Sequence, residues 1–236
     1  NASRDPAGAT SIFDIATENN LSELVLVEDS FMGFLEAQKI SEQLGINFIF
    51  GLRFDVCQDV TDISDESLRK CSHKVIIFLK NAAGYKTLNH IYTQCKTIHN
   101  GWLDLSVLSD LWRERHLSLA IPFYDSFIFK NLTSFNACVP NFPFTSPTFF
   151  TEDNSLPFDG LIREGVNEYA CSQSSLIQPV QSIYYNRCSD FDAYLAYKLI
   201  CGRNSFAGRS LSLEKPNFDH LGSNEFCWES YLNKYE

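Results

Sequence analysis

The sequence predicts an α/β fold: a mainly parallel sheet closing, or nearly closing, into a β/α barrel with helices outside. Three observations predict it. Strand and helix hydrophobic periods alternate along the chain. Six or seven such strand–helix units fit into about 200 residues, the spacing of a β/α barrel. Hydrophobic residues make up 44% of the 236, with 20 Phe, enough apolar surface to fill one large core.

The elements follow in order. Residues 10–19 (TSIFDIATEN) read as a helix with Thr10 or Ser11 as N-cap and Ile12, Ile15 and Ala16 facing inward. LSELVLV at 21–27 is a buried strand that runs into the acids Glu28 and Asp29. FLEAQKISEQLG at 34–45 is an amphipathic helix ended by Gly45. INFIFGLRFDV at 46–56 is a strand broken by Gly51, and residues 58–71 form an exposed acidic insertion. HKVIIFLK at 73–80 is a strand, and NAAGYKTLNHIYTQC at 81–95 a helix. Leu105–Arg115 is a helix and 117–123 a strand. Residues 131–160 are the least regular part, with TFFTE at 148–152 as a short strand. A helix at 160–173, a strand at 177–184 and a helix at 190–201 complete the series. Residues 202–236 read as a loop-like tail anchored by Trp228 and Tyr231. The domain reading is a barrel over 1–210 with a C-terminal tail over 211–236.

Composition narrows the function. Net charge is −10, with 29 acids against 19 bases, and the densest basic cluster is RERH at 113–116. Direct nucleic-acid binding by this chain alone is therefore disfavoured. No apolar run approaches the roughly 20 residues that span a bilayer, and NASRDPAGAT lacks the basic and apolar regions of a signal peptide. The eight cysteines form no CxxC and fit neither a zinc module nor a disulfide scaffold, so most are expected to be reduced core thiols of a cytoplasmic protein. The sequons at Asn20 and Asn131 are read as chance matches. No GxGxxG, Walker or Ser-His-Asp pattern is visible.

Three stretches, in this order and spacing, carry a family likeness: LVLVEDSFMGFLEAQKISEQLGINFIFGLRFDV, HKVIIFLKNAAGYKTLNHIYTQ and QPVQSIYYNRCSDFDAYLAYKLICGR. Over roughly residues 3–210 the chain resembles the PHP (polymerase and histidinol phosphatase) domain of bacterial DNA polymerase III α subunits. The K-N-x-x-G-Y-K-x-L pattern is characteristic of that polymerase branch. The resemblance implies a PHP-like distorted (β/α)7 barrel, mainly parallel with outer helices, whose strand ends hold two or three metal ions through histidines and carboxylates, to activate water against a phosphate ester.

At those positions this sequence departs from the family. The first HxH is absent. The Asp-His after the second strand aligns with Glu28 and Asp29, the glutamate of GCE with Arg53, the Asp and His of NDVHY with Ser182 and Tyr184, and a later helix histidine with Tyr194. His73, His90, His99, His116 and His220 fall elsewhere. Each residue also has a plainer role. Glu28 and Asp29 are either residual ligands or a solvated helix cap, and Arg53 is placed to pair with one of them. Asp190 is expected to cap the helix it precedes, and Tyr184, Tyr185 and Tyr194 to fill the vacated space.

The expectation is a catalytically degenerate PHP domain with no catalytic residue, no metal and no cofactor. It would serve as a structural or protein-interaction module in DNA replication. The partners implied are DNA polymerase, a proofreading exonuclease or other replication proteins, with no membrane involved. One alternative is a metal-dependent phosphoesterase or exonuclease with an altered site of Glu28, Asp29, Asp55 and Asp125 holding Mg, Mn or Zn. Another is an unrelated β/α protein that binds a small ligand.

Overall fold

Ser11 fixes the start of the first helix. Its Oγ accepts from the Phe13 N–H at 3.2 Å, and its own N–H donates to Asp14 Oδ2 at 3.2 Å. This capping box satisfies donors that the first turn would otherwise leave open. The computed structural model describes residues 10–57, 72–99, 101–135, 138–201 and 223–235, the side chains of 198–201 and 235 excepted. Helix α1 (Ile12–Glu18) buries Phe13 and Ala16. Ile12 and Ile15, expected inward, are only half-buried, because Phe13 takes the centre of the face and packs on Phe48.

The chain divides into two compact units, Asn1–Phe150 with Glu164–Gln178, and Thr151–Arg163 with Pro179–Glu236. The first holds β1 (Glu23–Glu28), α2 (Phe34–Leu44), β2 (Asn47–Cys57), β3 (His73–Leu79), α3 (Ala82–Thr97), β4 (Trp102–Asp104), α4 (Leu105–Leu111), β5 (Leu117–Ile121) and α5 (Phe127–Ser134). Three elements run across the unit boundaries: β6 (Thr148–Thr151), α6 (Asp159–Ser172) and β7 (Ile177–Pro179). The fold is mixed α/β around a seven-stranded sheet of order β1-β2-β3-β5-β6-β7, with β4 pairing on β2.

The strand directions are more mixed than the sequence suggested. β1 and β4 lie parallel to β2, and β6 parallel to β5, but β3 is antiparallel to both β2 and β5. The 58–71 segment joins β2 to β3. The exposed insertion expected there lies outside the described residues. One consequence concerns Lys80 and Asn81, which directly follow β3. Because β3 is reversed, they sit at the opposite edge, where β5 begins.

Pleating divides β2 between two environments. Phe50, Leu52, Phe54 and Val56 alternate to one face and are all buried. There Phe34 of α2 meets Phe50 at 4.6 Å and Tyr85 of α3 at 5.3 Å. Ile49, Gly51, Arg53 and Asp55 point to the other face. On it Ile76, Phe78 and Ala120 form a small core with Val27, Ile49 and Phe150 against them. Gly51 does not break the strand. It pairs with Phe78, whose ring lies 2.7 Å from where a Cβ would stand, so the glycine makes room for the aromatic. β3 is buried on both faces from Val75 to Phe78, as a central strand must be.

The K-N-x-x-G pattern has a structural role. Asn81 caps α3, its Oδ1 accepting from Gly84 N–H at 3.1 Å while its Nδ2 donates to the Arg115 carbonyl at 2.9 Å. Lys80 donates to the Glu114 carbonyl at 2.8 Å. A Cβ on Gly84 would lie 2.4 Å from the His116 carbonyl oxygen. The motif thus clamps the start of α3 onto the turn that leads into β5. That turn holds the RERH cluster: Arg113 donates to the backbone carbonyls of Asp110 and Trp112.

The second unit holds a 3-10 turn (Cys188–Asp190), α7 (Phe191–Cys201) and α8 (Trp228–Tyr235). The strand expected over 177–184 ends at Pro179, which has no N–H to donate. Of the expected loop-like tail, 202–222 lie outside the described residues, and the rest is not all loop. Cys227 forms a parallel bridge with Tyr185, and α8 follows.

Candidate functional site

The expected site positions fall in both units, and each cluster stands by itself. In the first unit, register decides which acids meet which bases. Glu28, the last residue of β1, lies opposite Leu52. Asp29 follows it, and its side chain meets Arg53. Arg53 Nε donates to Asp29 Oδ1 at 2.8 Å and its terminal nitrogen to Oδ2 at 3.1 Å. Two residues further along the same face of β2, Asp55 sits 3.5 Å from Lys74. The acids Asp29 and Asp55 are therefore each matched by a neighbouring base.

Glu28 and Asp29 do not cap a helix. The N-cap of α2 is Gly33, whose φ of 80° is the left-handed conformation that glycine adopts without strain. Desolvation pushes the Asp29 carboxyl up, but the hydrogen bonds and charge of Arg53, with Lys74 and Lys96 beyond it, outweigh that and hold it below the ordinary range. Desolvation also raises Glu28, with Asp29 adding to it and Arg53 opposing it. Glu28 is nevertheless exposed, so solvent screens most of this. Asp125 lies after β5 at a left-handed φ of 61°, exposed, its carbonyl accepting from Lys74 N–H at 2.9 Å. Among the described residues no three His, Cys, Asp or Glu side chains are grouped closely enough to hold a metal ion.

In the second unit Ser182 has a carboxylate partner that the sequence reading missed. Glu152, buried, accepts from Ser182 N–H at 3.0 Å, Ser182 Oγ–H at 2.8 Å and Asn154 Nδ2 at 3.1 Å. Burial pushes its carboxyl up, and the donors from Ser182 and Asn154 only partly offset that. The available signal was the last letter of TFFTE, an acid immediately after an apolar strand. Asp159, also buried, caps the following turn by accepting from the N–H groups of Asn154 and Leu156.

Tyr184 and Tyr194 stack at 5.7 Å with an interplanar angle of 28°, and Tyr185 packs on Tyr194 at 5.2 Å. Phe226 and Phe191 close the cluster at 5.9 Å and 6.1 Å. Burial raises the Tyr185 hydroxyl well above the ordinary range, so it stays protonated. Asp190 accepts from Arg187 N–H at 3.1 Å, which ties down the turn before α7.

No family model matches this chain, and no curated protein does. The residues themselves therefore carry the argument about function. Of the histidines, His116 hydrogen-bonds Asn81 at 3.0 Å and His90 hydrogen-bonds Gln94 at 3.3 Å. His73 is buried beside Cys138, and His220 lies outside the described residues. The Asn131 amide is occupied by the backbone of Cys138, donating at 2.7 Å and accepting at 3.0 Å, so this sequon serves the fold. No helix among the described residues is long and apolar enough to cross a membrane.

Proposed function

We propose that the chain is a catalytically degenerate PHP domain, with a PHP-like (β/α)7 barrel as its ancestral frame, acting as a structural or interaction module in cytoplasmic DNA replication. The observation that carries this reading is the bidentate Arg53–Asp29 pair. At Arg53, where the resembled family has a metal-binding glutamate, and at Asp29, where it has a histidine, a guanidinium and a carboxylate neutralise each other. A cation at Arg53 repels a divalent metal from that corner. The Tyr184–Tyr194 stack supports the same reading, because aromatic packing stands where the family has imidazoles.

A domain that keeps its frame without its chemistry retains value as a docking body. The partners proposed are the replicative DNA polymerase and its proofreading exonuclease. The test is co-elution of the purified chain with each of these proteins from the source cell on size exclusion. A stable complex with either supports the proposal. No complex with either, together with Mn²⁺-dependent phosphodiester hydrolysis lost in Asp29→Asn, would favour the metal-dependent phosphoesterase reading.

A further inference from the structure

Cys188 and Cys227 lie in the second unit, and their sulfurs are 3.3 Å apart. They are 39 residues apart in sequence, and no local motif joins them. We propose that they are a dithiol pair that closes to a disulfide by exchange with a small-molecule disulfide, locking α8 onto the 184–190 segment.

The backbone around the pair is already fixed on both strands. Tyr184 N–H donates to the Phe226 carbonyl and Trp228 N–H to the Tyr185 carbonyl, each at 3.0 Å. Cys188 N–H donates to Glu229 Oε2 at 2.9 Å, which fixes the start of the 3-10 turn against the first turn of α8. Ser230 touches both sulfurs, its Oγ 3.5 Å from Cys188 Sγ and its N–H donating to Cys227 Sγ at 3.4 Å. A disulfide has an S–S length of about 2.05 Å. The gap is small enough for side-chain rotation to close, with both backbones held in place.

Exposure orders the steps. Cys188 is half-buried and Cys227 fully buried, so Cys188 meets the reagent first. Its thiolate attacks one sulfur of the small disulfide, expels a thiolate and forms a mixed disulfide. Cys227 then gives up its proton and attacks Cys188 Sγ, expelling the second thiolate. The two protein thiols lose two electrons, the reagent's disulfide gains them, and the two cysteine protons end on the released thiols. The other described cysteines are placed differently: Cys57, Cys95 and Cys138 are buried, and Cys171 is exposed.

The experiment equilibrates the full chain with glutathione and its disulfide at graded ratios, then maps peptides without reduction. The expected product is a Cys188–Cys227 cross-linked peptide lighter by two hydrogens. It should form before any other pair, be lost in Cys188→Ser and persist in Cys171→Ser. The oxidised chain should show at least tenfold slower amide exchange over 223–235 and a melting temperature higher by roughly 5–10 °C. Stable glutathione adducts on Cys188 without the cross-link, or earlier pairing of other cysteines, would overturn the proposal. So would a cross-link that leaves exchange over 223–235 unchanged.

Discussion

Arg53 and Asp29 meet edge to edge across the end of β1, through two parallel hydrogen bonds of 2.8 and 3.1 Å. The pair is partly solvated, with 67% of the Asp29 side chain exposed, so its value lies in occupancy more than in stability. Arg53→Ala is expected to lower unfolding free energy by no more than about 1 kcal/mol in urea titrations. The sign of the pH effect follows from the lowered Asp29 carboxyl. Its contribution is complete above the ordinary value of 3.8 and is lost as pH falls through the lower folded value. Arg53→Ala should therefore flatten the acid limb of the stability curve below about pH 4.

Glu152 gives the opposite slope. A buried carboxyl pushed up from 4.5 binds its proton more tightly in the folded state, so stability falls as pH rises from 4.5 toward the folded value. Glu152→Gln removes the ionisation and can still accept from Ser182. It is expected to flatten that fall and to match or exceed the parent in stability at pH 7. Glu152→Ala strands the Ser182 and Asn154 donors and should cost about 2–4 kcal/mol. Chemical denaturation of both variants from pH 4 to 8 separates the two effects.

The clamp on the 113–116 turn is tested by two substitutions. Gly84→Ala drives a Cβ against the His116 carbonyl, a backbone atom that cannot rotate away. It is expected to cost about 2–3 kcal/mol despite the better helix propensity of alanine. Asn81→Ala removes the α3 cap and the bond to Arg115, a loss of about 1–2 kcal/mol. Because both sites share one contact, the double variant should lose less than the sum of the singles in denaturation measurements.

The tyrosine pair is a packing unit on this account. A double-mutant cycle of Tyr184→Ala and Tyr194→Ala should give a coupling of about 0.5–1.5 kcal/mol. Near-zero coupling would show that the rings are neighbours without mutual stabilisation.

Features that rest on local chemistry were legible in the sequence. Ser11 caps α1, Gly45 ends α2 with a left-handed φ of 69°, and Arg53 pairs with an acid one strand away. Each follows from a residue type and its spacing. The reversal of β3 was not legible, because an apolar run such as HKVIIFLK has the same period in either direction. Glu152 was hidden in an irregular stretch, and its burial depends on Ser182, 30 residues away. Helix α8 lacks a strong N-cap residue, since Cys227 precedes Trp228, and it is placed instead by backbone bonds to Tyr185 and Asn186. The Cys188–Cys227 contact is likewise tertiary, and no spacing rule announces it.

The most direct test of the account is Mn²⁺ binding to the full chain by calorimetry, run beside phosphodiester hydrolysis, with Glu28→Gln and Asp29→Asn as controls. The account predicts no stoichiometric Mn²⁺ uptake that depends on these carboxylates, and the same background hydrolysis in all three proteins. One equivalent of Mn²⁺ bound by the parent, with hydrolysis that rises with the metal and disappears in both variants, would contradict it.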